Sequence, residues 1–259
     1  MSISKRFKLI KRRLGRALIG RNPFDLAYYF CEGYGLEVGA RNNPYPFGPT
    51  CKVAYADIAD ETSVEKILTQ GFRIGFLLAG EQYAKVNYVL SGPKYGFDVI
   101  ERHTFDFVYH DNVLEHTPNP IFALVEQLRI TKIGGFVYAV IPNKVYTFDK
   151  KRIATPVDVL VKKFEENIFH YSLEEALDVI FNTENFPTEF MQGKSPIEFA
   201  ETMVASNDGS YHFHVFDEEN TLAMLNYVCQ LSSSCLEYFS APSQKYIHFA
   251  IRKGSQIRT

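Results

Sequence analysis

The sequence predicts an α/β fold with a mostly parallel sheet, helices on both faces, a helical insertion and an antiparallel hairpin that closes the sheet. Short apolar runs such as Phe136 to Ile141 alternate with helical patterns. Continuously apolar strands are typical of a parallel sheet that is covered on both faces. The last two runs, 235–240 and 246–252, alternate in polarity across a short turn, which indicates the hairpin.

The predicted strands are short apolar runs that end in turn-forming or acidic residues. The first run closes at Gly39 and the second ends at Asp57. Between them, residues 41–50 contain three prolines, so we expect a loop that holds no long helix. The predicted strands and short apolar pieces before the hairpin are Leu36 to Ala40, Lys52 to Asp57, Asn87 to Leu90, Phe97 to Ile100, Phe105 to Tyr109 and Phe136 to Ile141.

Helices are predicted where apolar residues recur at helical spacing. The clearest case is 121–131, which follows Pro118 and Pro120. Gly134 and Gly135 come after it, and we expect a glycine there to supply the positive φ of a helix end. The other predicted helices are 62–68, 156–166, 172–181 and 218–231.

The chain divides into a basic N-terminal arm, residues 1–33, and an α/β domain, residues 34–259. Within the domain, residues 148–210 are richer in charge and least explained by a sheet. This stretch follows the predicted strand Phe136 to Ile141, whose carboxyl end opens on the same crevice as Gly39 and Asp57. We therefore expect a helical insertion that acts as a lid over a bound ligand.

The arm carries a charge that the formal net charge of −2 conceals. Residues 1–21 hold eight basic residues and no acidic one. Apolar residues recur among them at helical spacing, which suits a helix that lies on an anionic membrane surface. A helix packed on the domain through the same apolar stripe is the alternative. The apolar residues are Phe7, Ile10, Leu14, Leu18 and Ile19.

Composition excludes several classes of protein. Of the 28 basic residues, 20 lie beyond residue 21, together with all 30 acidic residues, so the body of the protein is a poor nucleic-acid binder. No apolar run reaches the length of a membrane span. The four cysteines form no CxxC pair, which disfavours a structural zinc site or a disulfide scaffold and fits a reducing cytoplasm.

The first two predicted strands have the general layout of a nucleoside-binding site. A strand, a glycine-containing loop and a second strand that ends in an acid place Asp57 where it can accept hydrogen bonds from ribose hydroxyls. The loop lacks GxGxxG, because Gly39 is followed by residues 40–44, which contain no glycine. A dinucleotide is therefore disfavoured, whereas an adenosine ligand without phosphates is compatible.

Five motifs occur in the chain in one order, and together they resemble the class I S-adenosylmethionine-dependent methyltransferases. The resemblance is to the branch whose members often accompany glycosyltransferases of cell-surface polysaccharide synthesis. It implies a Rossmann-like methyltransferase sheet, the cofactor S-adenosylmethionine, and methyl transfer to a small or sugar-like (glycan) acceptor. The motifs are Leu36-Glu37-Val38-Gly39-Ala40, Tyr55-Ala56-Asp57, Phe105-Asp106-Phe107-Val108 with Leu114-Glu115-His116, Lys132-Ile133-Gly134-Gly135-Phe136, and Ile141-Pro142.

The resemblance also implies roles for individual residues. Glu37, Gly39 and Ala40 would border the methionine end of the cofactor, and Asp57 would hold its ribose. Asp111 and Asn112 follow the predicted strand Phe105 to Tyr109 and would line the side of the cofactor that faces the substrate. The chain departs from the family in the first loop, where it has one glycine and the family has two or three.

Candidate bases and substrate residues follow from the same motifs. A base helps methyl transfer only when the acceptor is a hydroxyl or an ammonium, and His110 and His116 are the nearest histidines. A histidine bonded to backbone at a helix start is the alternative for His116. Three residues at the start of the insertion are predicted to contact substrate, although Arg152 can instead pair with Asp149. They are Asn143, Tyr146 and Arg152.

This interpretation is a cytoplasmic enzyme that can contact the membrane surface through residues 1–21. Two alternatives remain beside it: a catalytically silent methyltransferase-fold binding protein, and a nicotinamide-dependent oxidoreductase. The glycine-poor loop motivates the first, and the missing pyrophosphate glycines count against the second. No metal site is predicted. His212 and His214 have a spacing that can bind a metal ion, but no third ligand is evident in the sequence.

Overall fold

The computed structural model describes residues 26–58, 84–90, 96–207, 209–241 and 245–255. Within these ranges seven strands form one sheet. The predicted helix 62–68 and the basic segment 1–21 lie outside the described residues. The strands are Tyr34–Val38 (β1), Lys52–Asp57 (β2), Tyr88–Val89 (β3), Phe105–Asp111 (β4), Thr131–Pro142 (β5), Cys235–Ser240 (β6) and Tyr246–Arg252 (β7).

The order of the strands across the sheet is β3-β2-β1-β4-β5-β7-β6. Strands β1 to β5 pair in parallel, with Leu36 of β1 opposite Ala54 on one side and Val108 on the other. Strand β7 runs antiparallel to both β5 and β6. This arrangement confirms the predicted Rossmann-like methyltransferase fold, with its parallel majority and its closing hairpin.

Three helices cover the first face of the sheet. They are Pro120–Ile130 (α2), Val157–Glu165 (α3) and Glu218–Ser232 (α6), which contact one another. They share an apolar core with the strands, in which Leu124 and Leu128 of α2 are fully buried. No helix in the described ranges combines the length and the apolar character that a membrane span requires. The helices are Ala27–Phe30 (α1), Pro120–Ile130 (α2), Val157–Glu165 (α3), Leu173–Asn182 (α4), Pro196–Ser206 (α5) and Glu218–Ser232 (α6).

Aromatic side chains cover the described part of the second face. The one-turn helix α1 packs there, with the ring of Phe30 stacked 5.7 Å from that of Tyr138. The loop after β1 adds Tyr45 and Phe47, whose ring centroids lie 4.8 and 5.3 Å from that of Tyr109. Residues 41–50 contain no helix, as their prolines predict.

The insertion has an apolar core of its own. Helices α4 and α5 pack on each other, and the rings of Tyr171 and Phe213 stack with centroids 3.5 Å apart beside them. Each helix begins at a serine, Ser172 or Ser195, whose hydroxyl accepts the amide of a glutamate three residues later. Such capping boxes define where each helix starts.

The end of α2 differs from the prediction. The helix ends at Ile130, and Thr131 already has the extended conformation of β5. Gly134 does have positive φ, +78°, but it lies within an irregular part of β5. The neighbouring Gly135 has a different role, because a Cβ there would lie 2.3 Å from the backbone oxygen of Asp106. Close approach to β4, rather than helix termination, requires a glycine at that position.

His110 lies in the core, and its burial predicts that the stability of the folded protein depends on pH. Burial lowers its pKa to about 3, and neither ring nitrogen has a hydrogen-bond partner among the described residues. Below pH 6.5 the His110 side chain therefore binds a proton in the unfolded chain but not in the folded chain. The free energy of unfolding consequently decreases as the pH is lowered. We expect His110→Leu to remove a slope of about 1.4 kcal/mol per pH unit between pH 6 and 4.

Urea unfolding of both proteins at pH 7, 6 and 5 measures this slope. Other groups titrate equally in the two proteins, so the difference between them isolates His110. Replacing the exposed His170 with leucine is the control, and it should leave the slope unchanged. Parallel stability curves for the wild type and His110→Leu would contradict the prediction.

Candidate functional site

The site lies at the carboxyl ends of β1, β2 and β4. From β1 the chain continues to β2 on one side of the sheet, and from β4 it continues to β5 on the other. The connections after β1 and β4 thus diverge and leave a crevice, which is where open α/β sheets bind ligands. The predicted cofactor residues are distributed along this edge.

The loop after β1 is held by Glu37. This side chain is 3% exposed, and its carboxylate accepts the backbone N–H of Tyr45 at 2.9 Å. Burial raises its pKa to about 8, in spite of that hydrogen bond. Gly39 has φ of +75°, and a Cβ there would lie 2.8 Å from Val113. Only glycine fits this turn, and Ala40 after it is buried.

Asp57 ends β2 beside the start of that loop. Its carboxylate accepts the N–H of Ile58 at 2.7 Å. Burial raises its pKa, and the charge of Arg41 opposes the shift. Arg41 has φ of +49°, a left-handed conformation that non-glycine residues seldom adopt. The loop therefore brings a guanidinium to the carboxylate predicted to hold ribose.

Two polar oxygen atoms at the end of β4 have no hydrogen-bond partner within the described part of the chain. They are Oδ1 of Asp111 and Oδ1 of Asn112, and both are buried. Burial raises the pKa of Asp111 to about 6. Asn112 has φ of +52°. Buried polar atoms are nearly always bonded, so these two suit contact with a polar ligand.

The two histidines predicted as bases are in different environments. His110 is fully buried, and its ring contacts Phe249 in the core beneath the helices. His116 ends the short helical turn Leu114–His116, and its side chain is 25% exposed. Burial, His212 and Arg41 lower its pKa, against the effect of the Gly209 and Tyr211 carbonyls. Of the two, only His116 has a side chain that is partly exposed to solvent.

His116 forms a cluster with Glu115 and His212. Oε1 of Glu115 lies 3.8 Å from Nε2 of His116 and 3.9 Å from Nε2 of His212. The two rings are nearly perpendicular, with centroids 4.8 Å apart. Glu115 is fully buried, and burial raises its pKa to about 7, with His212 opposing the shift. We call these three residues the Glu115 cluster.

A second layer of contacts orients this cluster. His116 Nδ1 lies 3.0 Å from the carbonyl oxygen of Tyr211, and His212 Nδ1 lies 2.7 Å from Asp149 Oδ2. Arg152 in turn contacts Asp149 at 2.8 Å. Burial alone would raise the pKa of Asp149, but His212 and Arg152 outweigh it and lower that pKa. The insertion is thereby tied to the edge of the sheet.

The predicted substrate residues are not equally accessible. Asn143 is buried and caps the turn Lys144–Tyr146 through its side-chain oxygen. Arg152 is 2% exposed and also contacts Asp178 and two backbone carbonyls, which favours the ordering role over contact with substrate. Tyr146 is 47% exposed. It lines a cavity of about 380 Å³ together with Val145, Thr147, Phe148, Lys150, Glu184 and Lys245.

Sequence reasoning missed the Glu115 cluster because its parts are far apart in the chain. In the sequence, the spacing of His212 and His214 predicts that both share a face of a strand, where they can bind a metal ion together. Residues 211–217 form no strand, however, and His214 Nε2 faces the carbonyl of Pro118 at 3.2 Å. The sequence does contain one signal of the cluster, which is the adjacent pair Glu115 and His116 after β4. These two residues are the further metal-ligating side chains that the sequence did not show for His212.

No protein-family model matches the chain, and no curated protein matches its sequence. Solved structures do resemble its fold. A methyltransferase dependent on S-adenosylmethionine from Mesorhizobium loti aligns over 89% of this chain and 95% of its own, at 10% identity and a TM-score of 0.47. Another, from Methanosarcina mazei, aligns over 90% of this chain and 98% of its own, at 13% identity and a TM-score of 0.46.

Other similar structures belong to longer chains. The CurJ carbon methyltransferase aligns over 96% of this chain at 9% identity and a TM-score of 0.43, and the chain spans 54% of its length. The chain spans 66% of a similar Bordetella parapertussis structure. Because all these TM-scores are below 0.5, the fold assignment rests on the strand order.

Proposed function

We propose that this protein transfers a methyl group from S-adenosylmethionine to a hydroxyl of a small, sugar-like acceptor. The observation that carries the proposal is the meeting of two kinds of residue at one crevice. Acidic and unpartnered polar groups follow β1, β2 and β4, and the Glu115 cluster joins that edge to the insertion. The first set suits the cofactor and the second suits the acceptor.

The residues present fit an adenosine ligand that has no phosphates. Asp57 would accept the ribose hydroxyls, and Asp111 and Asn112 would supply the buried oxygen atoms that now have no partner. Gly39 keeps the turn after β1 narrow, since any side chain there meets Val113. The charge of Arg41 near Asp57 would attract the carboxylate of the methionine moiety. This pairing compensates for the missing loop glycines.

The acceptor side is supported by the cavity beside the insertion. Tyr146 and Phe148 are each about half exposed there, at 47% and 46%, and exposed aromatic rings next to charged groups suit a sugar. The ring of Phe148 also lies 4.7 Å from that of His212. The cavity and the Glu115 cluster are thus adjacent, and the insertion would cover both.

The chemistry requires little from the protein beyond positioning. S-adenosylmethionine supplies an activated methyl group, and the chain must align the acceptor oxygen and exclude water. His116 is neutral and partly exposed, whereas His110 is enclosed in the core. We therefore place the acceptor hydroxyl beside the Glu115 cluster. Four free cysteines fit the cytoplasm, and the motif resemblance suggests a role in surface polysaccharide synthesis.

A thermal-shift series tests the cofactor. S-adenosylhomocysteine at 100 times its dissociation constant should add about 2.7 kcal/mol to the stability of the folded protein, which is a measurable rise in melting temperature. NAD at the same concentration serves as the matched control and should have no effect. Stabilisation by NAD alone would indicate the oxidoreductase, and stabilisation by neither would leave the catalytically silent binding protein.

A further inference from the structure

The carboxyl group of Glu115 is buried and has no hydrogen bond to any residue that the structure describes. The side chain is 0% exposed, and neither oxygen has a partner among the described residues. An isolated buried carboxylate is strongly unfavourable unless it is paired or coordinates a metal ion. The structure offers two neighbours for it, His116 and His212, at distances too long for hydrogen bonds.

Both histidines direct Nε2 toward this carboxylate. A carbonyl oxygen or an ionised carboxylate can only accept, so Nδ1 of His116 donates to Tyr211 and Nδ1 of His212 donates to Asp149. Nε2 of each ring is thus left for a further ligand, at a distance from Glu115 that is too long for a hydrogen bond. A metal ion between the three groups would displace any proton on Nε2 and would be bound by all of them.

The distances fit such a cation. Divalent metals bind histidine nitrogen and carboxylate oxygen at about 2.0–2.2 Å, so two ligands of one ion lie about 3–4 Å apart. The separations from Glu115 Oε1 are 3.8 and 3.9 Å, which fall in this range. All three ligand atoms lie within 4.8 Å of one another, so the two histidine rings would move slightly closer together around a bound ion. We propose that Glu115, His116 and His212 bind a divalent transition-metal ion, with Asp149 and the Tyr211 carbonyl orienting the two histidines.

The ligand set leaves coordination positions for a substrate. Three protein ligands with further positions open are typical of catalytic rather than structural metal sites. The side chains of His116 and His212 are 25% and 16% exposed, so the open side faces solvent near Phe148.

A role of the metal ion in activating the acceptor rests on the proposed function, whereas the binding of the metal ion does not. The acceptor hydroxyl would coordinate there and release its proton to water more easily. Its oxygen would bond to the methyl carbon as the sulfur–carbon bond breaks and returns its electron pair to sulfur.

Titration with Co²⁺ tests the site without cofactor or acceptor. Cobalt absorption distinguishes nitrogen and oxygen ligands from cysteine thiolates. We expect about one ion per chain with nitrogen and oxygen ligands, loss of binding in Glu115→Gln and His212→Asn, and binding about 10–100-fold weaker in Asp149→Asn. His170→Ala is the matched control and should bind as the wild type does, because this exposed histidine lies outside the cluster.

Melting temperatures complete the experiment. Glu115→Gln removes a buried charge that has no partner, so without metal it should be at least as stable as the wild type, and Co²⁺ should stabilise only the wild type. Absence of binding to the wild type, or equal binding to Glu115→Gln and His212→Asn, overturns the proposal. If Co²⁺ binds but S-adenosylhomocysteine does not, the metal site stands and the proposed methyl transfer fails.

Discussion

Replacing Arg152 with methionine is expected to destabilise the protein by about 3–5 kcal/mol. Arg152 is 2% exposed and contacts two carboxylates, those of Asp149 and Asp178, at 2.8 and 2.7 Å. Without Arg152 the buried Asp149 keeps only His212 among these partners, and the carbonyls of His212 and Phe213 lose the donor that Arg152 supplies. The loss of a buried ion pair together with these hydrogen bonds accounts for the size of the effect. For a chain of this size the melting temperature should fall by about 10 °C. Urea and thermal unfolding measure both quantities.

The control for this variant is an ion pair at the surface. Lys151 lies 3.6 Å from Glu184 and its side chain is 66% exposed. Because exposed pairs contribute about 0–1 kcal/mol, Lys151→Met should unfold nearly as the wild type does. An equally stable Arg152→Met with a raised acceptor KM would instead return Arg152 to the predicted substrate residues.

Replacing Asp57 with alanine is expected to weaken the binding of S-adenosylhomocysteine by at least about 100-fold. Each hydrogen bond from a ribose hydroxyl to this carboxylate is charge-assisted, and its loss removes about 1.5–3 kcal/mol. Asp57 is half-buried at the end of β2, where its partners among the described residues are backbone amides and the nearby charge of Arg41. Calorimetric titration measures the change in affinity.

Two further measurements limit the interpretation of that result. The melting temperature without ligand should change little in Asp57→Ala, so that weak binding is not a consequence of unfolding. Asp158→Ala, at an exposed position in α3, should bind the ligand as the wild type does. Unchanged affinity in Asp57→Ala would remove this residue from the cofactor site.

The sequence alone determined the sheet and the acids along its edge. Apolar period and turn residues are local properties, and they identified β1, β2, β4 and β5 and the closing hairpin. Helices α3, α4 and α6 begin and end within one or two residues of the predicted positions. The end of α2 lies one residue before its predicted position, because the two glycines after it belong to β5. Gly134 lies in an irregular part of that strand, and Gly135 permits the close approach of β4.

Only the tertiary structure decided which polar residues meet. Side chains on a strand alternate between its two faces, but the sequence does not say which face is enclosed. His110 is therefore predicted at the site, whereas the structure places its side chain in the core. Glu115 and His212 are distant in the chain, and the folded insertion brings them within 3.9 Å. Long-range packing therefore creates the Glu115 cluster, whereas local sequence creates the strands that carry the predicted cofactor residues.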